Sequence, residues 1–213
     1  MNLNLQEVQE YLSLVKDIIT ALSALTVAVI ATLGLQTWKK ELKGRTEYEL
    51  ARRLLRAVYK TRDAIRLVRN PFMSAGEISQ SLQQANIEVD QHDERFGAIT
   101  QGSVYQTRWK KVQDAFTELQ LDTFEAEVIW GQEASEKMRP LRKNVSTLFA
   151  NIQIYLKHIE EPSRYTLDTE TRQEMETVIY DPGLEDPSRN SFTVEITQSV
   201  RQIEQYLRPH LNL

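Results

Sequence analysis

Ile18-Ile-Thr-Ala-Leu-Ser-Ala-Leu-Thr-Val-Ala-Val-Ile-Ala-Thr-Leu-Gly-Leu35 runs for eighteen residues without a charged side chain. At about 1.5 Å per residue, a helix of that length spans roughly 27 Å, close to the hydrocarbon thickness of a bilayer. Leu14 and Val15 before the run and the Trp38 indole after it extend the apolar stretch towards both interfaces. The run predicts one transmembrane helix over residues 18–38, attached to an otherwise water-soluble chain. A cleaved signal peptide needs a basic leader and a small-x-small cleavage site; here the leader is acidic and no Ala-x-Ala follows. Nine of the eighteen residues are Ala, Ser, Thr or Gly, so insertion is only moderately favourable. A buried helix at the centre of a soluble oligomer is the competing reading.

The charges on either side orient the span. Residues 1–17 carry a net charge of −2, residues 36–69 a net of +7, and residues 70–213 a net of −9. Lys and Arg close to one end of a hydrophobic span stay on the cytoplasmic side. This places residues 1–17 outside and everything after the span in the cytoplasm, in the inner (plasma) membrane of a cell. Trp38, Lys39, Lys40, Lys43 and Arg45 then meet the lipid head groups, where each basic residue gains about 1 kcal/mol from an anionic surface. Thr20, Ala24, Ala28 and Thr32 recur every four residues, a ridge of small side chains on which a second helix can approach closely in lipid.

Beyond the span the chain keeps a helical pattern. Gly44 is the single weak point, and one glycine costs a helix about 1 kcal/mol relative to alanine. Ala51, Leu54, Leu55, Val58, Ile65 and Val68 fall on one stripe, with most of the basic residues on the others. Residues 39–70 therefore read as a basic stalk helix, which Asn70-Pro71 ends. Part of its charge is expected to pair with the acidic domain that follows.

Residues 71–213 form one helical bundle domain. Residues 71–102 are poorly patterned; Pro71–Gly76 reads as a turn, residues 77–90 can hold a short helix, and Gly97 and Gly102 punctuate the far end. Then Tyr105, Trp109, Val112, Phe116, Leu119, Thr123, Ala126 and Trp130 alternate in steps of four and three. After Gly131 the alternation resumes with Ala134, Met138, Leu141, Val145, Leu148, Ile152, Tyr155 and Ile159. Two equal seams joined by a short turn predict an antiparallel helical hairpin with coiled-coil-like packing. Pro140 is expected to kink its second helix. Leu121, Phe124, Val128, Phe149 and Leu156 lie off the seams and predict further helices packed over them. Residues 161–191 read as loop with one short helix near 170–179. Ile196, Val200, Ile203 and Leu207 mark a last amphipathic helix stopped by Pro209, with His210 in a tail. The fold class is all-α throughout.

Little chemistry is encoded. The chain has no cysteine, which removes disulfides, thiolate metal sites and cysteine nucleophiles. It contains no Gly-x-Ser-x-Gly, no P-loop and no dinucleotide fingerprint. Asp90-Gln-His92-Asp93-Glu94 is the one dense group of ligand-type residues, and no second histidine stands at helical spacing from His92. A solvated acidic loop is its reading. No catalytic, cofactor-binding or metal-binding residue is assigned. Nucleic acid is not an expected partner, because the acidic domain beside the basic stalk repels phosphates.

Gln36-Thr-Trp-Lys-Lys-Glu-Leu-Lys-Gly-Arg45, Glu47-Tyr-Glu-Leu-Ala-Arg-Arg-Leu-Leu54, the Asn70-Pro-Phe turn and Tyr206-Leu-Arg-Pro-His-Leu211 together resemble a group of uncharacterised bacterial membrane proteins. Those have one N-terminal span and a helical cytoplasmic domain. The resemblance follows the order of the whole chain, implies bacterial origin and this topology, and carries over no functional residue.

The expected role is a membrane-anchored scaffold or sensor that acts through protein–protein contact. Its partners are the lipid bilayer, further copies of itself and an unidentified cytoplasmic protein; no cofactor is implied. An alternative is a membrane-disrupting effector of a stress or phage-defence system, for which Thr20, Ser23, Thr26 and Thr32 supply a weak polar face. A second alternative is an unrecognised hydrolase resting on Asp90–Glu94.

Overall fold

The computed structural model describes residues 5–181 and 189–211, and every regular element among them is helical. In chain order these are α1 (Leu5–Val68), α2 (Ala75–Ala85), α3 (Phe96–Trp130), α4 (Gln132–Glu160), α5 (Thr169–Ile179), α6 (Ser191–Leu207) and a 3₁₀ turn, Arg208–Leu211. The chain divides into two compact units, residues 1–47 and residues 48–213, and α1 contributes to both. In the first unit the backbone is helical through Gly44, and the apolar side chains from Leu12 to Leu42 all face outward.

In the second unit local chemistry sets the helix ends. Pro71 disfavours helical backbone at Asn70, and the Asn70 Oδ1 accepts from the Phe72 N–H at 3.0 Å, turning the chain after α1. Ser74, Asp168 and Asn190 cap α2, α5 and α6, each accepting a backbone N–H three residues on. Asn86 takes a left-handed conformation (φ 54°) and closes α2. Between α3 and α4 stands Gly131 at φ 85°, a backbone angle that side chains resist.

The core follows the periodicity. Leu50, Leu54, Val58, Ile65 and Val68 of α1 are buried with Val112, Leu119 and Ala126 of α3 and Met138, Leu141 and Leu148 of α4. The helix α4 touches α3, α5 and α6. Tyr105 meets Tyr155 edge-on at 5.9 Å, and Trp109 lies against Phe149 at 4.9 Å, so the start of α3 packs on the end of α4. Ion pairs tie α1 to α3: Arg53 to Asp122 and Glu125, and Lys60 to Glu118. Of the eleven basic residues in 36–69, Arg53 and Lys60 thus pair with acids of the segment that follows.

Several expectations are corrected. Gly97 and Gly102 do not punctuate a loop but lie inside α3, which starts nine residues before Tyr105. Burial of Thr100, Ser103 and Val104 on the same turns offsets the glycines' cost. Trp109, Phe116 and Trp130 are only partly buried, at the edge of the core. Leu121, Phe124 and Val128 remain exposed, with no described helix over them, and Phe149, against Trp109 of α3, stays 43 % exposed. The reason is angular. At 100° per residue Leu121 lies about 160° around α3 from Leu119, and α1 and α4 occupy the Leu119 side. His210 is no free tail residue, since its ring stacks on Trp130 at 4.1 Å and Leu211 behind it is buried. Pro140 lies inside α4, and Pro209 in the 3₁₀ turn that follows α6. The prolines at 182 and 187 lie outside the described residues.

Two arginines hold the end of α1 in place. Arg69, 1 % exposed, donates through Nε to the Val178 carbonyl at 2.7 Å and through Nη2 to the carbonyls of Thr177 (3.1 Å) and Tyr180 (3.0 Å). The same guanidinium reaches Asn190 Oδ1 at 3.0 Å and Thr193 Oγ1 at 2.8 Å, with Asp181 at 3.5 Å. It thus supplies the donors that the C-terminal carbonyls of α5 lack. Arg108, 2 % exposed, forks onto Glu77 with two bonds of 2.7 Å and binds the carbonyls of Asn70 and Phe72 at 2.5 and 2.7 Å. The segment Arg69–Phe72 is therefore tied to α2, α3, α5 and α6.

Candidate functional site

The apolar part of α1 is the first candidate. Its most apolar eighteen-residue window has a mean hydropathy of 2.3, and none of that window is buried. Thr20, Ala24, Ala28 and Thr32 all lie on its open surface. The hydroxyls do not present free donors. Thr20 donates to the Lys16 carbonyl and Ser23 to the Ile19 carbonyl, each at 2.8 Å. Thr26 donates to the Leu22 carbonyl at 2.8 Å and Thr32 to that of Ala28. Back-bonding to the preceding turn satisfies each hydroxyl within the helix. Trp38, Lys39, Lys40, Lys43 and Arg45 are exposed, and Lys43 faces Glu47 at 3.7 Å.

The acidic loop is a turn built by its own side chains. Asp90 Oδ1 accepts from the His92 backbone N–H at 3.0 Å and stands 2.9 Å from His92 Nδ1. The backbone N–H of His92, then its ring, hold the Asp90 carboxyl below the usual range. Asp93 accepts in the same way from the Arg95 N–H at 2.8 Å. Among the described residues no group of three or more His, Asp or Glu side chains is placed to hold a metal ion. His158 stands apart, its Nδ1 2.5 Å from the Tyr165 carbonyl.

Perturbed ionisation belongs to the packing. Burial pulls the Arg69 guanidinium down to about 10, against the opposing pull of Asp181, and it stays charged at neutral pH. The hydrogen bond from Arg108 holds Glu77 below the usual carboxylate range. Burial pushes the Tyr105 hydroxyl up to about 12. Arg69 and Glu77 are thereby engaged in the packing, Arg69 with backbone and side-chain acceptors and Glu77 with Arg108, while the buried Tyr105 hydroxyl has no hydrogen-bond partner among the described residues.

A cavity of about 460 Å³ opens between α3 and α4, with Ile99, Trp109, Ile152 and Leu156 on its walls and Arg95 and Glu160 adding opposite charges. It contains no histidine and no nucleophile set beside a base. A different surface carries more. Leu121, Phe124 and Val128, exposed by 63 %, 59 % and 86 %, form a stripe on the outer face of α3. Glu118 and Glu125 border it on the α1 side, where Lys60 and Arg53 pair with them.

Arg69 and Arg108 escape a reading by charge, which counts them with the solvated bases. A positional signal was present. Arg69 stands four residues after Ile65 and Arg108 three after Tyr105, both in register with apolar stripes. No family model, no curated protein and no solved structure matches the chain.

Proposed function

We propose that this chain is a single-pass protein of the bacterial inner membrane. Its N-terminal helix holds a cytoplasmic helical bundle at the membrane, where copies associate and bind a cytoplasmic protein as scaffold or sensor. The observation that carries the reading is the uncharged, wholly unburied window of α1, followed by a segment of net charge +7. A core helix of a soluble protein is covered by its own fold, and none of this window is buried among the described residues. Positive charge after the span favours a cytoplasmic domain and an outer N-terminus. In the same reading α3 and α4 are the antiparallel, coiled-coil-like hairpin of the bundle, and residues 39–70 the stalk. The role is non-catalytic. Hydroxyls satisfied within the helix support an anchor rather than the polar lining of a pore.

The ridge of Thr20, Ala24, Ala28 and Thr32 is the surface on which anchors meet. Ala24→Leu combined with Ala28→Leu is expected to abolish cross-linked dimers in native membranes, because added side chains separate the helices. Leu22→Ile with Leu25→Ile, which leaves the ridge intact, is expected to retain them. An unchanged cross-linking pattern in the Ala→Leu protein removes the ridge from the account.

A further inference from the structure

Leu121, Phe124 and Val128 follow the three-then-four spacing of a coiled-coil seam, opposite the seam that α3 buries in its own domain. A helix apolar on two opposite faces is built to be covered on both, and exposed apolar stripes mark contact surfaces. We propose that this outer face pairs in parallel with the same face of a second copy of the chain, an inference that rests on the membrane-tethered reading above.

The flanking residues select this occupant and its direction. With Leu121 and Val128 at a positions and Phe124 at d, the e positions hold Glu118 and Glu125, and the g positions hold Gln113, Gln120 and Glu127. A parallel pair sets each g residue against the e residue five positions on in the other helix. Gln113 then faces Glu118 of the second copy, and Gln120 faces Glu125, so amide meets carboxylate in both. The last g residue, Glu127, meets no e residue on α3, which ends at Trp130. An antiparallel pair would set e against e, glutamate against glutamate. Lys60 and Arg53 already neutralise much of the charge along the e border. Asp114, one heptad before Leu121, ends the seam. The contact is short. Three side chains fall well below the roughly 800 Å² per partner of a stable free interface, so pairing depends on the effective concentration of copies held in one membrane, of order mM for short tethers.

The natural absence of cysteine makes the test direct. Full-length protein carrying Val128→Cys, oxidised in native membranes, is expected to form a disulfide-linked homodimer. Gln202→Cys, exposed on α6, is expected to form little. Phe124→Glu added to Val128→Cys is expected to reduce that dimer by tenfold or more. The same Phe124→Glu change beside Ala24→Cys leaves the membrane-helix dimer in place. Dimer at Ala24→Cys without dimer at Val128→Cys overturns this inference and spares the membrane ridge. Loss of both overturns self-association altogether. A mixed disulfide between Leu121→Cys and Val128→Cys copies that exceeds the Val128 homodimer overturns the parallel arrangement, and linkage of Val128→Cys to a different protein overturns the choice of occupant.

Discussion

Replacing Arg69 with methionine is expected to lower the stability of the helical domain by about 3–5 kcal/mol, the usual cost of removing one partner from a buried charged cluster. The guanidinium bonds to the carbonyls of Thr177, Val178 and Tyr180 and to the side chains of Asn190 and Thr193. Methionine fills the space but removes the charged donor, leaving the Thr177 and Tyr180 carbonyls with Asn190 and the Asp181 carboxylate with Thr193. Arg69→Lys is expected to recover only part of the loss, since an ammonium cannot match the planar fork. Chemical denaturation of the full-length protein in detergent, followed by far-ultraviolet circular dichroism, reads both values. A methionine variant within about 0.5 kcal/mol of the parent would mean that the cluster is not closed in solution.

Truncation on the inner seam is the second large effect. Leu119 and Leu148 are fully buried on α3 and α4, and each change to alanine is expected to cost about 2–5 kcal/mol. Gln113→Ala, on the exposed side of α3, is expected to stay within about 0.5 kcal/mol. Phe116 is expected to fall between them, because its half-buried ring leaves solvent less on folding. Equal losses at Leu119 and Gln113 would refute the seam.

The same pattern of apolar residues accounts for what the sequence revealed and what it hid. Period-three-and-four spacing identified Val112, Leu119, Leu141 and Leu148 as core, because a helix shows one sector to its neighbours and that sector repeats. Asn70-Pro71 marked the end of α1 at Val68, and the acidic stretch after Pro162 held a helix at Thr169–Ile179, near its expected limits. Periodicity does not say whether a second apolar sector is covered by the same chain, so Leu121, Phe124 and Val128 read as interior and stand exposed. Formal charge gave no sign that Arg69 and Arg108 are core residues, whose long stems and five donors suit them to capping backbone carbonyls there. The docking of His210 on Trp130 depends on where the chain returns in space, which local sequence does not carry. For the apolar N-terminal helix, length and composition said as much in sequence as they do in three dimensions.

Orientation of the chain across the membrane is the central claim, and accessibility of single cysteines measures it most directly. Gln9→Cys, Leu25→Cys and Lys110→Cys stand before, within and after the span, at exposed positions of a protein with no other cysteine. With a membrane-impermeant maleimide applied to intact cells, the account predicts labelling at residue 9 alone. After the cells are opened residue 110 is expected to label as well, and residue 25 to remain protected in the lipid. Labelling at residue 25 in washed membranes, or at residue 110 in intact cells, would contradict it.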